Sequence, residues 1–347
     1  MATLKNTTIN ATSSLRLPSG TTAQRPGSPQ VGMMRYNTDE AYVEIYSGED
    51  WVALAGSGGA GLYDFTSATF TSPINGESGP SLAQARAGIT GGDSFKNDTS
   101  YFNTSSGIMI WVAPADGTYR IECWGGQGGG PCTRQGTQGG LGARMRGDFN
   151  LTSGQTLRMV VGQEGLRQTN GWGGGAGGGG TFVWDPTSTS QPLIAAGGGG
   201  GSGQSSNGQQ DGRTGTTGGT GSNGGGSGGT NGNTSSSAGI CGGGGGQGWN
   251  GGQSYHCGGY FTWPTLYNNP TGFRGSGGGD SNVQGGFGGG GGDYGGSGGG
   301  GGWSGGGSGG WSYSGYGGGG GSINSGSNQS NTSGVQADNG KITITLL

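Results

Sequence analysis

Short runs in which apolar and polar residues alternate are spread along the first 124 residues and return near the C-terminus. In the clearest run, residues 117–124, Tyr119, Ile121 and Cys123 alternate with charged residues, which is the two-residue period of a strand with one buried face. Similar runs predict strands over residues 32–36, 42–46, 50–54, 65–70, 100–103, 107–112, 143–149, 156–161, 181–184, 192–196 and 341–347. The pattern therefore predicts an all-β fold.

Helix signals are scarce. Residues 80–87 are the one helix that we predict, because Pro80 suits a helix start and helix-forming residues follow it. Three prolines between residues 17 and 29 exclude a helix there.

The predicted strands between residues 32 and 54 form a meander of about 25 residues, which is too small to bury a core of its own. We therefore expect other copies of the chain, or a partner, to complete it. A flexible Gly/Ser linker at residues 56–61 separates this N-terminal module, residues 1–55, from a second domain at residues 62–347.

Glycine accounts for 98 of the 347 residues and is concentrated in segments 125–142, 171–180, 197–252 and 275–321. The segments lack the strict Gly-X-Y period of collagen. Such composition often forms a disordered linker. Order is favoured here because strand patterns resume on both sides of each segment. Large aromatic residues also punctuate the segments, namely Trp172, Trp249, Phe287, Trp303 and Trp311.

An ordered form of these segments is a bundle of polyglycine II helices, which have three residues per turn and no internal hydrogen bonds. Glycine alone lets neighbouring backbones approach closely enough to bond from segment to segment. The loss of glycine's conformational entropy costs roughly 1–2 kcal/mol per residue. Dense bonding between segments, with a frame of strands around them, must offset that cost.

Charge and hydropathy exclude several classes of function. The net charge is −3 and only 10% of residues are charged, so we expect no nucleic-acid partner. No apolar run reaches the ~20 residues of a membrane helix, and the N-terminus has no apolar signal region. We therefore expect a soluble protein made in a cytoplasm, with no membrane insertion.

Catalytic chemistry is sparse as well. The single histidine, His256, and dispersed carboxylates argue against an enzyme, and we expect no cofactor and no metal. The cysteines are interpreted as thiols packed in or beside the core, because a reducing site of synthesis disfavours disulfides. They are Cys123, Cys132, Cys241 and Cys257.

Aromatic side chains between residues 248 and 274, and a second group near residue 310, are candidate contacts for a host receptor or glycan. The alternative is that they cap the glycine bundle or seal a subunit interface. The candidates are Trp249, Tyr255, Tyr260, Phe261, Trp263, Tyr267, Trp303, Trp311 and Tyr313.

Four phrases near the N-terminus, residues 4–10, 17–26, 32–38 and 43–51, resemble a recurrent module of tailed-phage virion fibre proteins, especially from phages of marine and cyanobacterial hosts. The resemblance implies a homotrimeric fibre subunit tied to other virion proteins through its N-terminus. Candidate attachment or trimer-interface residues are Leu4, Ile9, Leu15, Leu17, Met33, Tyr36, Tyr46 and Trp51.

The rest of the chain is similar to the extracellular glycine-rich domain of the anaplastic lymphoma kinase and leukocyte tyrosine kinase receptors. The matching phrases include residues 79–85, 107–119, 148–151, 160–165, 192–197, 285–292 and 339–344. The resemblance implies a tumour-necrosis-factor-like jelly roll with an inserted bundle of glycine helices. The chain lacks the receptors' transmembrane segment, kinase domain and most of their cysteines, so only the architecture carries over.

Together these arguments predict a virion structural protein, a homotrimeric fibre subunit that presents a glycine-rich domain to a glycan or protein of the host surface. The alternative is a capsid-decorating or stabilising protein without a receptor role. A weaker alternative, an ice- or mineral-binding module, needs regularly spaced threonines, and those between residues 214 and 230 are irregular.

Overall fold

The computed structural model describes residues 17–40, 42–53, 61–131, 137–169, 173–188, 190–204, 210–236, 243–256, 259–263, 273, 275, 283–292, 295–311 and 315–347, with the backbone alone over 252–256 and 259–263. The chain divides into two compact units, residues 1–61 and 62–347. The prediction of an all-β protein is confirmed.

The first unit contains a four-stranded sheet in the order β1-β2-β3-β4. Its strands are β1 (Ser19–Gly20), β2 (Met34–Asn37), β3 (Tyr42–Tyr46) and β4 (Trp51–Ala53), with a short 3-10 helix at Thr22–Gln24. β1 pairs with β2 in parallel, and the other pairs are antiparallel. The sequence pattern predicted the last three strands and missed β1, whose two residues carry no alternation.

The described residues of the second unit form two six-stranded sheets, one short helix and a separate pair of strands. The first sheet, in the order β17-β10-β9-β18-β5-β6, comprises β5 (Ser67–Thr71), β6 (Ile89–Thr90), β9 (Gly117–Trp124), β10 (Gly142–Leu151), β17 (Thr332–Gln336) and β18 (Lys341–Leu346). The second, in the order β16-β13-β12-β11-β8-β7, comprises β7 (Phe102–Ser105), β8 (Ile108–Val112), β11 (Thr156–Val160), β12 (Thr181–Trp184), β13 (Ile194–Ala196) and β16 (Ile323–Asn324). A separate pair, β14 (Gly252–His256) and β15 (Gly259–Trp263), forms an antiparallel hairpin.

Helix α1 (Leu82–Ala87) begins two residues later than predicted. Ser81, and not Pro80, is its N-cap: the Ser81 hydroxyl accepts from the Gln84 amide, and the Gln84 side chain accepts from the Ser81 amide at 2.9 Å. This reciprocal pair satisfies two amides that the first helical turn leaves unbonded.

The main core lies between the two six-stranded sheets. Tyr119, Ile121 and Cys123 of β9 are fully buried, which confirms the inward face predicted from their alternation. Trp111 of the opposite sheet meets Tyr119 edge-to-face, with ring centroids 6.0 Å apart. The sheets thus share one aromatic-rich core, and non-polar burial of this kind is the main stabilising contribution to folding.

The glycine segments join the sheets at one end of this two-sheet structure. They follow the last residues of β9, β11 and β13 and precede the first residues of β10, β12 and β16. Thr181, the first residue of β12, connects the sheets at this end: its hydroxyl donates to the Trp124 carbonyl of β9 at 2.5 Å and accepts from the Gly162 amide at 2.9 Å.

A second core lies on the outer face of the β16–β7 sheet. Phe182 and Trp184 of β12 point to this side, while Val183 between them points into the main core. Aromatic residues of the glycine-rich region, including Trp249 and Phe273, cover them. β12 is therefore buried on both faces, which explains why its four residues lack the alternation of a half-exposed strand.

Candidate functional site

The four-stranded sheet of the first unit buries its polar face. Among residues 17–40 and 42–53, the buried side chains are Arg35, Asn37 and Glu44, and none of these is apolar. A soluble domain normally buries apolar residues and leaves charged residues in water. This part of the chain therefore lacks the apolar core that would stabilise it alone.

Glu44 is the centre of the buried polar face. Its carboxylate is fully buried and accepts hydrogen bonds from Arg25 at 2.6 and 3.2 Å and from Asn37 at 3.1 Å, with the Arg35 guanidinium 3.6 Å away. The hydrogen bonds from Arg25 lower the pKa of Glu44, against the opposing effect of burial. The carboxylate thus stays ionised because donors surround it.

The opposite face of the same sheet is apolar and open. The strand register places Met34, Ile45 and Val52 side by side, with Tyr36 beside Val43 in the next row. Met34, Tyr36 and Val52 are 41%, 37% and 44% exposed. We call Met34, Tyr36, Val43, Ile45 and Val52 the apolar sheet face.

The predicted attachment residues divide between the two faces. Tyr36 lies on the apolar sheet face, and Met33 precedes it with 38% of its surface exposed. Tyr46 and Trp51 lie on the polar face, where their rings pack at 5.6 Å. Leu17 is partly buried, and Leu4, Ile9 and Leu15 fall outside the described residues.

Sequence reasoning missed Met34, Val43, Ile45 and Val52. The available signal was the alternation within each strand, in which Met34 and Tyr36 flank Arg35 and Val43 and Ile45 flank Glu44. The other face carries the large aromatic residues Tyr46 and Trp51, so the sequence pattern alone did not distinguish which face is open.

The glycine segments bond to one another through their backbones in a repeat of three residues. Within residues 298–303, amides three positions apart donate to the same neighbouring stretch of backbone, and successive amides donate to different stretches. The bonds run from Gly298 to Gly175, Gly299 to Gly244, Gly300 to Gly318, Gly301 to Gly178, Gly302 to Gln247 and Trp303 to Gly321.

The carbonyls of the same stretch accept from further segments. The Gly298 and Gly301 carbonyls accept from the amides of Gly201 and Gly198, and other carbonyls accept from Gly291 and Gly306. Residues 298–303 are thus surrounded by hydrogen-bonded backbone. We call the segments joined in this way the glycine lattice.

The lattice leaves no room for side chains at its centre. A Cβ atom added to Gly300 would overlap the carbonyl oxygen of Gly198, and one added to Gly299 would overlap that of Gly306. Residues 295–310 are buried, and the polar side chains among them are the small serines Ser297, Ser304 and Ser308. Close backbone approach of this kind requires glycine.

Two of the predicted receptor contacts are wrong as surface residues. Trp249 is fully buried and Trp303 is 8% exposed. Both belong to the second core, because the outer face of the β16–β7 sheet needs an apolar cover. They fit the alternative interpretation, in which these aromatics close off the glycine bundle.

The other predicted contacts have different outcomes. Trp311 is 58% exposed, so its role as a contact stays a prediction. Tyr255, Tyr260, Phe261 and Trp263 lie on the β14–β15 hairpin, where the structure describes the backbone alone. Tyr267 and Tyr313 lie outside the described residues.

Little reactive chemistry accompanies these surfaces. Burial raises the pKa of the Cys123 thiol, so it is protonated and inert in the core. The other three cysteines lie outside the described residues. Within the described ranges, no three His, Cys, Asp or Glu side chains converge as a metal site would require, and no helix is long and apolar enough to cross a membrane.

No family model matches this chain, and no curated protein matches its sequence.

Proposed function

We propose that this chain is a homotrimeric fibre subunit of a phage particle, which assembles through its N-terminal unit and presents the second unit to the host surface. The observation that carries the proposal is the apolar sheet face, which has no cover among the described residues of its own unit. The resemblance of the N-terminal phrases to phage fibre modules supplies the virion setting and the number of copies.

Further copies of this chain are the cover that we propose for the apolar sheet face. Its five side chains, Met34, Tyr36, Val43, Ile45 and Val52, carry no charge, so identical faces meet around an axis without repulsion. Burying such a face stabilises the assembly by about 25 cal/mol for each Å² of apolar surface removed from water. The ionised cluster at Glu44 lies on the other face and does not oppose this contact.

The second unit is the presenting part. We propose that it is a jelly roll carrying a polyglycine II bundle. The three-residue recurrence of neighbours along residues 298–303, with each of these bonds made to a residue outside that stretch, supports that assignment. A bundle held by backbone bonds on all sides is rigid and has few side chains for proteases to recognise.

Sedimentation of the full chain tests the assembly. The wild-type protein is expected to sediment as a trimer, at three times the 33.9 kDa of one chain. The double variant Ile45→Glu and Val52→Glu is expected to sediment as a monomer. Val335→Glu is the matched control, because Val335 is 47% exposed in the second unit, and this variant should remain trimeric.

The competing hypothesis for this face is that residues 1–16 of the same chain cover it. A monomeric wild-type protein whose deletion of residues 1–16 exposes dye-binding apolar surface would overturn the trimer and assign the face to that segment. A trimer that persists with Glu at both positions would also overturn it.

The capsid-decoration alternative shares this assembly and differs in the role of the second unit. Binding of the trimer to host cells separates the two functions. A trimer that occupies particles and fails to bind host cells favours decoration.

A further inference from the structure

A groove of about 700 Å³ opens at the end of the two-sheet structure away from the glycine lattice. The loop between β10 and β11 forms one wall, and the turn that follows β12 forms the other. Ile110 and Arg158 form the floor, on neighbouring strands β8 and β11. Strands from distant parts of the sequence therefore assemble it.

Arg158 provides a cation in this groove. Its cross-strand neighbours are Ile110 on one side and the buried Trp184 on the other, so its stem packs on apolar surface. Its guanidinium has no ion pair or hydrogen bond within the part of the chain that the structure describes. A planar fork of five N–H donors is thus available to a ligand.

Asp185 provides a carboxylate in a fixed orientation. Its Oδ1 accepts from the Thr187 amide at 2.8 Å and the Thr187 hydroxyl at 2.6 Å, and its Oδ2 accepts from Gln155 Nε2 at 2.8 Å. Burial opposes ionisation, but the hydrogen bonds outweigh it and lower the pKa of Asp185. A carboxylate oxygen accepts two hydrogen bonds, and among the described residues Oδ2 accepts one, from Gln155, so it retains a lone pair for a ligand.

The walls add hydroxyl groups. Thr152 and Thr156 lie beside Ser153, whose hydroxyl donates to the Pro114 carbonyl at 3.0 Å and holds the loop in place. The groove thus offers a free guanidinium, a positioned carboxylate and several hydroxyls over one small apolar patch. This combination matches a ligand that carries both hydroxyl groups and a negative charge.

We propose that this groove binds an acidic sugar unit of a surface polysaccharide, with the sugar carboxylate on Arg158 and its hydroxyls on Asp185 and Gln155. The inference rests on the proposed host-surface role and names its ligand class. None of its lining residues is among the aromatic residues predicted from the sequence.

Binding of D-galacturonate and D-galactose to the full chain, followed by titration calorimetry and saturation-transfer NMR, tests the groove. These sugars differ at one carbon, which carries a carboxylate in the first and a hydroxymethyl group in the second. The wild-type protein is expected to prefer galacturonate by about tenfold, because a charge-assisted pair forms with Arg158. Arg158→Gln should remove that preference, and Asp185→Asn should weaken the binding of both sugars several-fold.

Arg213→Gln is the matched control, since Arg213 is an exposed arginine elsewhere in the unit, and its sugar binding should equal wild type. Equal binding of the two sugars to the wild-type chain, or wild-type preference in Arg158→Gln, overturns the proposal. Inorganic sulfate that binds as tightly as galacturonate also overturns it, because the site would then recognise an anion without the sugar.

Sedimentation of the same samples keeps the two proposals apart. A trimer that binds neither sugar would contradict the proposed sugar site and support the proposed assembly. A monomer that prefers galacturonate would support the sugar site and contradict the assembly.

Discussion

The indole ring of Trp249 stands edge-on to that of Trp184, with ring centroids 5.6 Å apart and an interplanar angle of 80°. Trp184 belongs to β12 and Trp249 to the glycine-rich region, so this pair links the sheets to the lattice. Phe273 completes the contact at 5.4 Å from Trp184. The lattice is thus anchored on one face of a sheet by aromatic packing.

Replacing Trp249 by Ala should lower the free energy of unfolding by about 3–5 kcal/mol, because the change leaves a cavity in the second core. Urea denaturation of the full chain, followed by circular dichroism, measures the loss. Trp311→Ala is the control, since Trp311 is 58% exposed, and a change within about 0.5 kcal/mol is expected there. Equal effects of the two substitutions would contradict the anchoring role.

A substitution at Gly300 tests how closely the backbones in the glycine lattice approach one another. Gly300→Ala places a methyl group against the Gly198 carbonyl, so the segments must separate, at a cost of about 1–3 kcal/mol or more. Gly215→Ala is a matched control, because a Cβ at Gly215 meets nothing within 4 Å. Thermal unfolding should show a clear loss for the first variant and none for the second. A stable Gly300→Ala protein would mean that the segments are more loosely packed.

Glu44 makes the first unit sensitive to acid. Its pKa is lowered in the folded unit, mainly by the Arg25 hydrogen bonds, so its stabilising contribution is present above the unfolded value near 4.5 and is lost as pH falls through the folded value. Hydrogen-exchange protection of residues 34–53, corrected for intrinsic rates, should therefore fall below pH 4.5. Glu44→Gln should lose this protection even at pH 7, whereas Glu49→Gln, an exposed control, should behave as wild type.

Glu164 affects the pH dependence of stability in the opposite direction. Burial raises its pKa, repulsion from Asp338 adds to the effect, and Arg167 partly offsets it. The folded state therefore disfavours the charged form, and stability falls as pH rises through the folded pKa. Glu164→Gln should raise the melting temperature at pH 7 and leave it unchanged below pH 4. An equal rise at both pH values would contradict this, and Asp64→Asn, at an exposed carboxylate, should show no pH-dependent difference.

Nine strands of the second unit, namely β5, β7 to β13 and β18, were accessible from sequence because each has one face in the main core. The sequence pattern missed β6, β14, β15, β16 and β17. Tyr119, Ile121 and Cys123 show this alternation, and burial follows it. β12 was recognised as a strand from its β-branched and aromatic residues, but its burial on both faces came from packing that lies far away in sequence. The groove at Arg158 and Asp185 was also hidden, since its residues lie on separate strands and form no motif.

The sequence by itself determined an all-β protein with segments so rich in glycine that their backbones can pack together, because alternation and side-chain volume are local properties. Only the tertiary structure decided which segments are neighbours, such as Gly300 beside Gly198 and Gly318, since identical glycines carry no side-chain pattern that specifies register. It also decided that Trp249 points inward and that Glu44, rather than Ile45, is buried in the N-terminal sheet. Those outcomes depend on hydrogen bonds and apolar contacts between distant residues, which compete with local preference and outweigh it.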